Sequence, residues 1–188
     1  MGIAVPVEHR VLGLDKRKLG GTLAVLAVVL LWAVVVPLIA DAIPYDDEVA
    51  SGESFSISKS VSIVPPVGWE VEPRTVLDSG TLVVHNSGLT VTVTVGTFDG
   101  DLSELMAKAN DGLDIDRITK PQSSITTNDG STGLIESFDG VNQHGMLAVF
   151  AEDDVGVEVE AVGPEPLFTR YSDEILAMIA TLQFGVES

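Results

Sequence analysis

The most marked pattern along the chain is an apolar run near its N-terminus. Leu23–Ala40 holds eighteen consecutive residues without a charge. At about 1.5 Å per residue a helix of this length spans roughly 27 Å, close to the thickness of the hydrocarbon core of a bilayer. The run has no polar face, which a surface helix of a globular protein would need. We therefore predict a transmembrane helix over residues 21–43.

The charges on either side of this run predict its orientation. Basic residues dominate before it, and acidic residues follow it at positions 41 and 46–48. Because the basic side of a transmembrane helix faces the cytoplasm, we expect residues 1–20 to be a cytoplasmic tail. The chain would then cross the plasma membrane once and place the remainder on its outer side. The residues that determine this topology are Lys16, Arg17 and Lys18.

Three features in or beside the run bear on its role. Trp32 lies mid-membrane, away from the interfaces where tryptophan is favoured, so contact with another helix and contact with lipid both stay open. Pro37 falls in the last turns, where a helix ends or kinks at little cost. Ala40-Asp41-Ala42 matches the small-x-small pattern of a cleaved signal peptide, which is the alternative to an uncleaved anchor. Both interpretations export the rest of the chain.

Beyond the membrane segment the periodicity changes. Residues 44–54 are acidic and small and predict a linker, and residues 55–188 predict an extracytoplasmic domain. The clearest signal in this domain is residues 89–98, where apolar and polar side chains alternate as in a half-buried strand. The turn residues 86–88 precede it and predict a hairpin with a strand over residues 81–85.

The rest of the domain is predicted to combine short strands with two helices. Asp101 and Glu104 form a capping-box pattern at the start of a short helix that ends near Gly112. Apolar residues recur at helical spacing from Phe168 to Leu182 and predict a C-terminal helix. Further strands are predicted over residues 55–57, 61–63, 68–71, 123–127, 131–138, 145–151 and 155–162, and at Phe184. These elements indicate an α+β domain, an antiparallel sheet with two packed helices.

Three short motifs carry a family resemblance. They are Pro65-Pro66-Val67-Gly68-Trp69, the helix start Asp101-Leu102-Ser103-Glu104, and the amphipathic helix over Phe168–Leu182. In this order, around an antiparallel meander, they resemble the PsbP-like fold over roughly residues 55–185. That fold is shared by the photosystem II extrinsic protein, a nuclear import cofactor and actinobacterial envelope lipoproteins. The resemblance implies a binding or accessory role and brings no catalytic residues with it. This chain differs from the lipoproteins because it has no lipid-bearing cysteine.

Charge and composition exclude several classes of function. From residue 44 onward there are 25 Asp or Glu against six Lys or Arg, a net charge near −19. A field of this sign repels phosphate backbones, so nucleic-acid binding is excluded, whereas basic partners are attracted. The chain has no cysteine. Disulfides, thiolate metal sites and cysteine nucleophiles are therefore absent.

Candidate chemistry is sparse in the exported part. His85 and His144 are both predicted at or in turns; they are either solvated or a metal-binding pair. The carboxylates at 99–104 and 111–116 bracket the first helix without the register of a calcium loop. Trp69 is predicted to be a core anchor, with a ligand platform as the alternative. We therefore predict no catalytic residue, no cofactor and no metal site.

The function expected from these patterns is that of a non-enzymatic accessory subunit. Its partners would be the membrane and other integral membrane subunits. The host would be a respiratory supercomplex or envelope-lipid transport machinery in an actinobacterial cell. The alternative is a binding module for an envelope lipid or other apolar ligand, which requires a cavity lined by Val, Leu and Phe. A hydrolase would require His85 or His144 within hydrogen-bond reach of a nucleophile.

Overall fold

The computed structural model describes residues 10–11, 14–15, 47–72, 80–113, 115–141 and 143–185. The chain divides into two units, Met1–Pro44 and Tyr45–Ser188. In the first unit, strand β1 (Arg10–Val11) pairs antiparallel with β2 (Leu14–Asp15).

The predicted membrane anchor lies outside the described residues. This applies to residues 21–43, and to the positions singled out above, namely Lys16, Arg17, Lys18, Trp32 and Pro37. Of the two helices within the described ranges, neither combines the length and the apolar character that a bilayer crossing requires.

The second unit combines two antiparallel sheets with two helices. The larger sheet has eight strands in the order β3-β6-β7-β8-β12-β11-β10-β9, and the smaller has the order β13-β5-β4. The strands are β3 (Asp47–Glu48), β4 (Phe55–Ser56), β5 (Val61–Ile63), β6 (Glu70–Val71), β7 (Thr81–Asn86), β8 (Leu89–Thr97), β9 (Ile115–Thr126), β10 (Thr132–Gly140), β11 (Gln143–Glu152), β12 (Val155–Gly163) and β13 (Gln183–Phe184). The helices are α1 (Leu102–Asp111) and α2 (Glu165–Ala180).

The alternation predicted for residues 89–98 is confirmed in β8. Leu89, Val91 and Val93 are fully buried, whereas the threonines between and after them are at least partly exposed. The turn into this strand has positive φ at Ser87 and Gly88, +51° and +96°, as a tight hairpin turn between twisted strands requires. The capping box is also confirmed, because the Asp101 carboxylate accepts from the Ser103 and Glu104 amides while Glu104 bonds the Asp101 amide.

The two helices pack on opposite faces of the larger sheet. Along β11, Leu147 and Val149 belong to the apolar cluster under α1, whereas Ala148 and Phe150 belong to the cluster under α2. Because successive strand residues point to opposite faces, β11 contributes to both clusters and is covered on both sides. The unit is therefore a three-layer domain, helix on sheet on helix, with the larger core under α2.

The start of the domain differs from the predicted boundary. Residues 44–54 were expected to be a linker, but β3 pairs with β6 at the edge of the larger sheet. Val49 is only 2% exposed, and its amide bonds the Trp69 carbonyl at 2.8 Å. We predicted a linker because this segment is acidic, although it contains one buried apolar residue and a short edge strand. Charged side chains are common in edge strands because they prevent pairing with strands of other molecules.

Strand β9 is also longer than predicted, since it begins at Ile115 instead of residue 123. It lies at the other edge of the sheet and contains Pro121, which cannot donate to a ladder and is tolerated at edges. Its register with β10 shifts three times, between Ile135 and Gly140. Lacking regular alternation, the first half of β9 has no strand-like pattern in the sequence.

Candidate functional site

One half of the sheet face on the α1 side, formed by β3, β6, β7, β8 and β12, is at least partly exposed to solvent. Helix α1 packs over β10 and β11 and also reaches β12, where Val162 packs against the α1 cluster; no other helix in the described ranges lies on this face. Register places Glu48 opposite Glu70, Glu70 opposite His85, and His85 opposite Thr90 on this surface. We call this surface the acidic face; its carboxylates are Glu48, Glu70, Glu72, Glu158 and Glu160. The five strands carry no Lys or Arg.

The ionised form of Glu160 is destabilised on the acidic face. Glu158 and Glu160 lie two residues apart on β12 and so point to the same side of the sheet. Desolvation by partial burial raises the pKa of Glu160, and the charge of Glu158 raises it further. In the row across the sheet Glu160 lies between Leu147 and Thr92, neither of which can neutralise it. Glu160 therefore lies in an environment that disfavours its ionised form.

His85 lies on the same face and contacts both a hydroxyl and a carboxylate. Its Nδ1 is 3.1 Å from Thr90 Oγ1, and its Nε2 is 3.9 Å from Glu72 Oε2. This meets the distance criterion stated above for a hydrolase. The two residues are also directly opposed in a hairpin, a position in which side chains lie in contact whether or not they take part in chemistry. The 3.9 Å separation exceeds hydrogen-bond length, so Glu72 does not orient the imidazole as the aspartate of a catalytic triad does.

A second cluster surrounds a polar cavity at the β10–β11 turn. Asp139 Oδ2 accepts from Arg117 at 2.5 Å, and Asp139 Oδ1 lies 2.5 Å from His144 Nδ1. The imidazole is held from the other side by the Phe168 ring, with 5.3 Å between the ring centroids. The cavity has a volume of about 480 Å³. Its walls are formed by Arg117, Thr119, Asp139, Gly140, Gln143, His144 and Glu165.

The carboxylate of Asp139 is the centre of this cluster. The Arg117 guanidinium lowers the pKa of Asp139; partial burial opposes the effect, and His144 lowers the pKa further. Asp139 therefore stays ionised and accepts from His144 Nδ1, which makes Nε2 the acceptor of the neutral imidazole ring. The arrangement orients an imidazole toward a polar space. It is not the apolar cavity that a lipid-binding module requires.

The position of His144 corrects the sequence-based prediction. His144 was expected in a turn but lies in β11, directly opposite Asp139 in β10. Had we predicted a two-residue hairpin loop at residues 141–142, the register would have placed Asp139 opposite His144. The sequence suggested a longer turn instead, because residues 139–145 contain two glycines and an asparagine.

The two histidines do not form a metal-binding pair. His144 shares the α2 face with Met146, whereas His85 points to the acidic face, opposite to its neighbour Val84. Within the described ranges no three His, Asp or Glu side chains are grouped to hold a metal ion. Of the carboxylates that bracket α1, Asp101 and Glu104 form the cap, and Asp114 lies outside those ranges. Trp69 is fully buried, which confirms its prediction as a core anchor.

Comparison with known proteins supports the fold and leaves the site unassigned. No protein-family model matches the chain, and no curated protein matches it significantly. The solution structure of cyanobacterial PsbP (CyanoP) from Synechocystis sp. PCC 6803 superposes with a TM-score of 0.50 at 10% identity, covering 70% of this chain and 91% of that protein. A crystal structure from Bacteroides thetaiotaomicron VPI-5482 gives a TM-score of 0.44 at 15% identity, covering 72% of this chain; the chain spans 49% of that protein. The likeness to the first shows that the chain contains a PsbP-like fold.

Proposed function

We propose that the chain is a non-enzymatic, single-pass membrane accessory subunit of a larger membrane complex. The N-terminus faces the cytoplasm and the PsbP-like domain stands on the outer side of the plasma membrane. The apolar run over Leu23–Ala40, with basic residues before it and acidic residues after it, supports the anchor and its orientation. In an actinobacterial cell, a respiratory supercomplex or an envelope-lipid transport machinery would be the host.

The observation that carries this proposal is the acidic face. Among the described residues, its five strands present four glutamates and no basic residue on this partly exposed side, and a fifth glutamate, Glu72, directly follows β6. Complementary charge steers encounter and fixes register between protein surfaces. A basic subunit of the same assembly is therefore the partner that fits this surface.

Purification from native membranes tests the proposal. The full chain with a C-terminal affinity tag is extracted in a mild detergent at low salt and analysed by mass spectrometry. We expect other membrane subunits to be recovered in fixed stoichiometry. We expect their yield to fall when Glu158→Gln and Glu160→Gln are combined, and to stay unchanged in Asp116→Asn, an exposed acidic residue on β9. Recovery of the chain alone would contradict the proposal.

An extracytoplasmic hydrolase is the second candidate, favoured by the contact between His85 and Thr90. A nucleophilic hydroxyl activated by an imidazole reacts with a fluorophosphonate probe. Labelling of the full chain that disappears in Thr90→Val and in His85→Ala would favour the hydrolase over the accessory subunit. Absence of labelling, with the partner yield retained in Thr90→Val, would favour the accessory subunit.

A further inference from the structure

A small notch interrupts the acidic face where β8 and β12 meet Leu105 and Lys108 of α1. Its volume is about 130 Å³. Phe98 and Leu105 form an apolar wall, and Glu158 and Lys108 stand at the rim. Lys108 Nζ lies 6.0 Å from the centroid of the Phe98 ring. The other lining residues are Thr94, Gly96, Thr97 and Gly156.

The notch exists because two glycines lie opposite each other in the sheet. Gly96 on β8 pairs with Gly156 on β12, and both lack a side chain on the α1 face. A Cβ at Gly156 would lie 2.7 Å from Phe98 Cβ, so close packing explains this glycine. Among the residues that the structure describes, a Cβ at Gly96 would meet no atom within 4 Å. Its φ is not positive either, so neither packing nor backbone conformation of the described residues requires glycine there.

A glycine inside a strand weakens it, and one common reason for its presence is the close approach of a ligand or another chain. At Gly96 the described residues leave open space near the Phe98 ring, on a surface that is rich in carboxylates. The notch is continuous with the acidic face through Glu158, which belongs to both. Its volume suits a single aliphatic side chain rather than a small-molecule ligand, since such ligands occupy about 300–1,000 Å³.

We propose that the notch receives an aliphatic side chain of a basic protein segment, whose Lys or Arg residues lie on the adjoining acidic face. This assignment rests on the proposed function and specifies the contact surface of the accessory subunit. The apolar anchor displaces water from the Phe98 ring, which is only partly buried. The neighbouring cations pair with Glu158 and Glu160. This favours the ionised form of Glu160, whose pKa is raised by burial and, to a lesser extent, by the charge of Glu158. Lys108 beside Phe98 selects against a cation in the notch itself, so the inserted side chain is uncharged.

Site-specific photo-crosslinking in the native membrane tests this surface. Benzoylphenylalanine is placed in the full chain at Thr94, which is exposed on the acidic face, and in a separate variant at Val141, which is 59% exposed at the opposite end of the strands. We expect an adduct from position 94, joined to a partner peptide in which Lys or Arg flanks Leu, Ile or Val. High salt should reduce its yield severalfold, because salt screens exposed charges.

The Gly96→Val variant separates the notch from the charges around it. Valine fills open space in a strand where it is favoured, so the thermal stability should be retained. The adduct from position 94 should fall at least tenfold. An unchanged adduct in Gly96→Val would overturn the notch as the contact. Adducts from position 141 but none from position 94 would overturn the acidic face as the interface while leaving the proposed function intact. No adduct at either position, with the chain purified alone, would overturn both.

Discussion

The indole of Trp69 donates a hydrogen bond to Glu174 Oε2 at 3.0 Å, across 105 residues of chain. Trp69 lies between β5 and β6, and Glu174 lies on α2. The indole is fully buried, and the edge of its ring meets Tyr171, one turn earlier on α2, with 6.1 Å between centroids. This contact joins α2 to the segment between the two sheets. It explains why a tryptophan follows the turn at Gly68.

We predict that Glu174→Ala destabilises the domain by about 1–2 kcal/mol, because it leaves a buried indole N–H without a partner. Glu174→Gln keeps an acceptor and should cost less than half of that. Urea unfolding of the full chain in detergent, followed by tryptophan fluorescence, measures both. Equal effects of the two substitutions would show that the indole hydrogen bond is not the cause.

Replacing glycines at two positions should give effects of opposite sign. A Cβ at Gly145 would overlap the ring of Phe138, which is 1% exposed, so Gly145→Ala should destabilise the domain by about 1–3 kcal/mol. Gly96→Ala meets open space and should stabilise it by about 0.5–1 kcal/mol, as a strand glycine loses more entropy on folding than alanine. Thermal unfolding of Gly145→Ala and Gly96→Ala, each compared with the unsubstituted chain, measures the two effects. Destabilisation by Gly96→Ala would contradict the structural account of the notch.

We predict that Glu160→Gln raises stability at neutral pH. The pKa of Glu160 is raised in the folded state, so folding favours its protonated form. Ionised Glu160 therefore lowers the free energy of unfolding. This effect develops as the pH rises from the ordinary pKa of 4.5 through the raised pKa of the folded state, and it is absent at lower pH. Because Glu160 is only half-buried, the gain should be a fraction of a kcal/mol. Denaturant unfolding at pH 7 and pH 4 measures it; a gain of equal size at both values would exclude an electrostatic origin.

The Asp139 cluster predicts the opposite pH dependence. The Arg117 guanidinium holds the pKa of Asp139 below its ordinary value of 3.8, with a further contribution from His144. The resulting stabilisation of the folded state is fully present above pH 3.8, the ordinary pKa of the group, and is lost as the pH falls through the lowered pKa of the folded state. In Arg117→Gln the pKa of Asp139 should rise toward 3.8, as measured by carboxyl-carbon NMR titration. A titration unchanged by this substitution would show that Arg117 does not set the pKa.

The sequence predicted the elements whose pattern is local. The alternation from Leu89 to Val93 and the capping box at Asp101 each follow from a few adjacent residues. The placement of the two helices on opposite faces of the sheet does not follow from adjacent residues. The continuous apolar stretch over residues 145–151 nevertheless indicated that this strand is buried on both faces. A strand buried on both faces needs cover on both sides.

The candidate sites were harder to predict because they depend on pairing between strands. The contact of Asp139 with His144 requires the register of β10 and β11, and the notch requires Gly96 to lie opposite Gly156. The open space at these glycines can be recognised only when the pairing of β8 with β12 is known. The acidic face likewise combines glutamates from positions 48 to 160, which are adjacent only in the folded sheet.

The orientation of the chain in the membrane is the claim on which the proposed function depends most directly. An alkaline phosphatase fused after Ser188, expressed on the full chain, reports the side on which the C-terminal domain lies. We predict an active enzyme that sediments with membranes and resists extraction at alkaline pH. An inactive fusion retained in the cytosol, or an active one released as a freely soluble protein, would contradict the account.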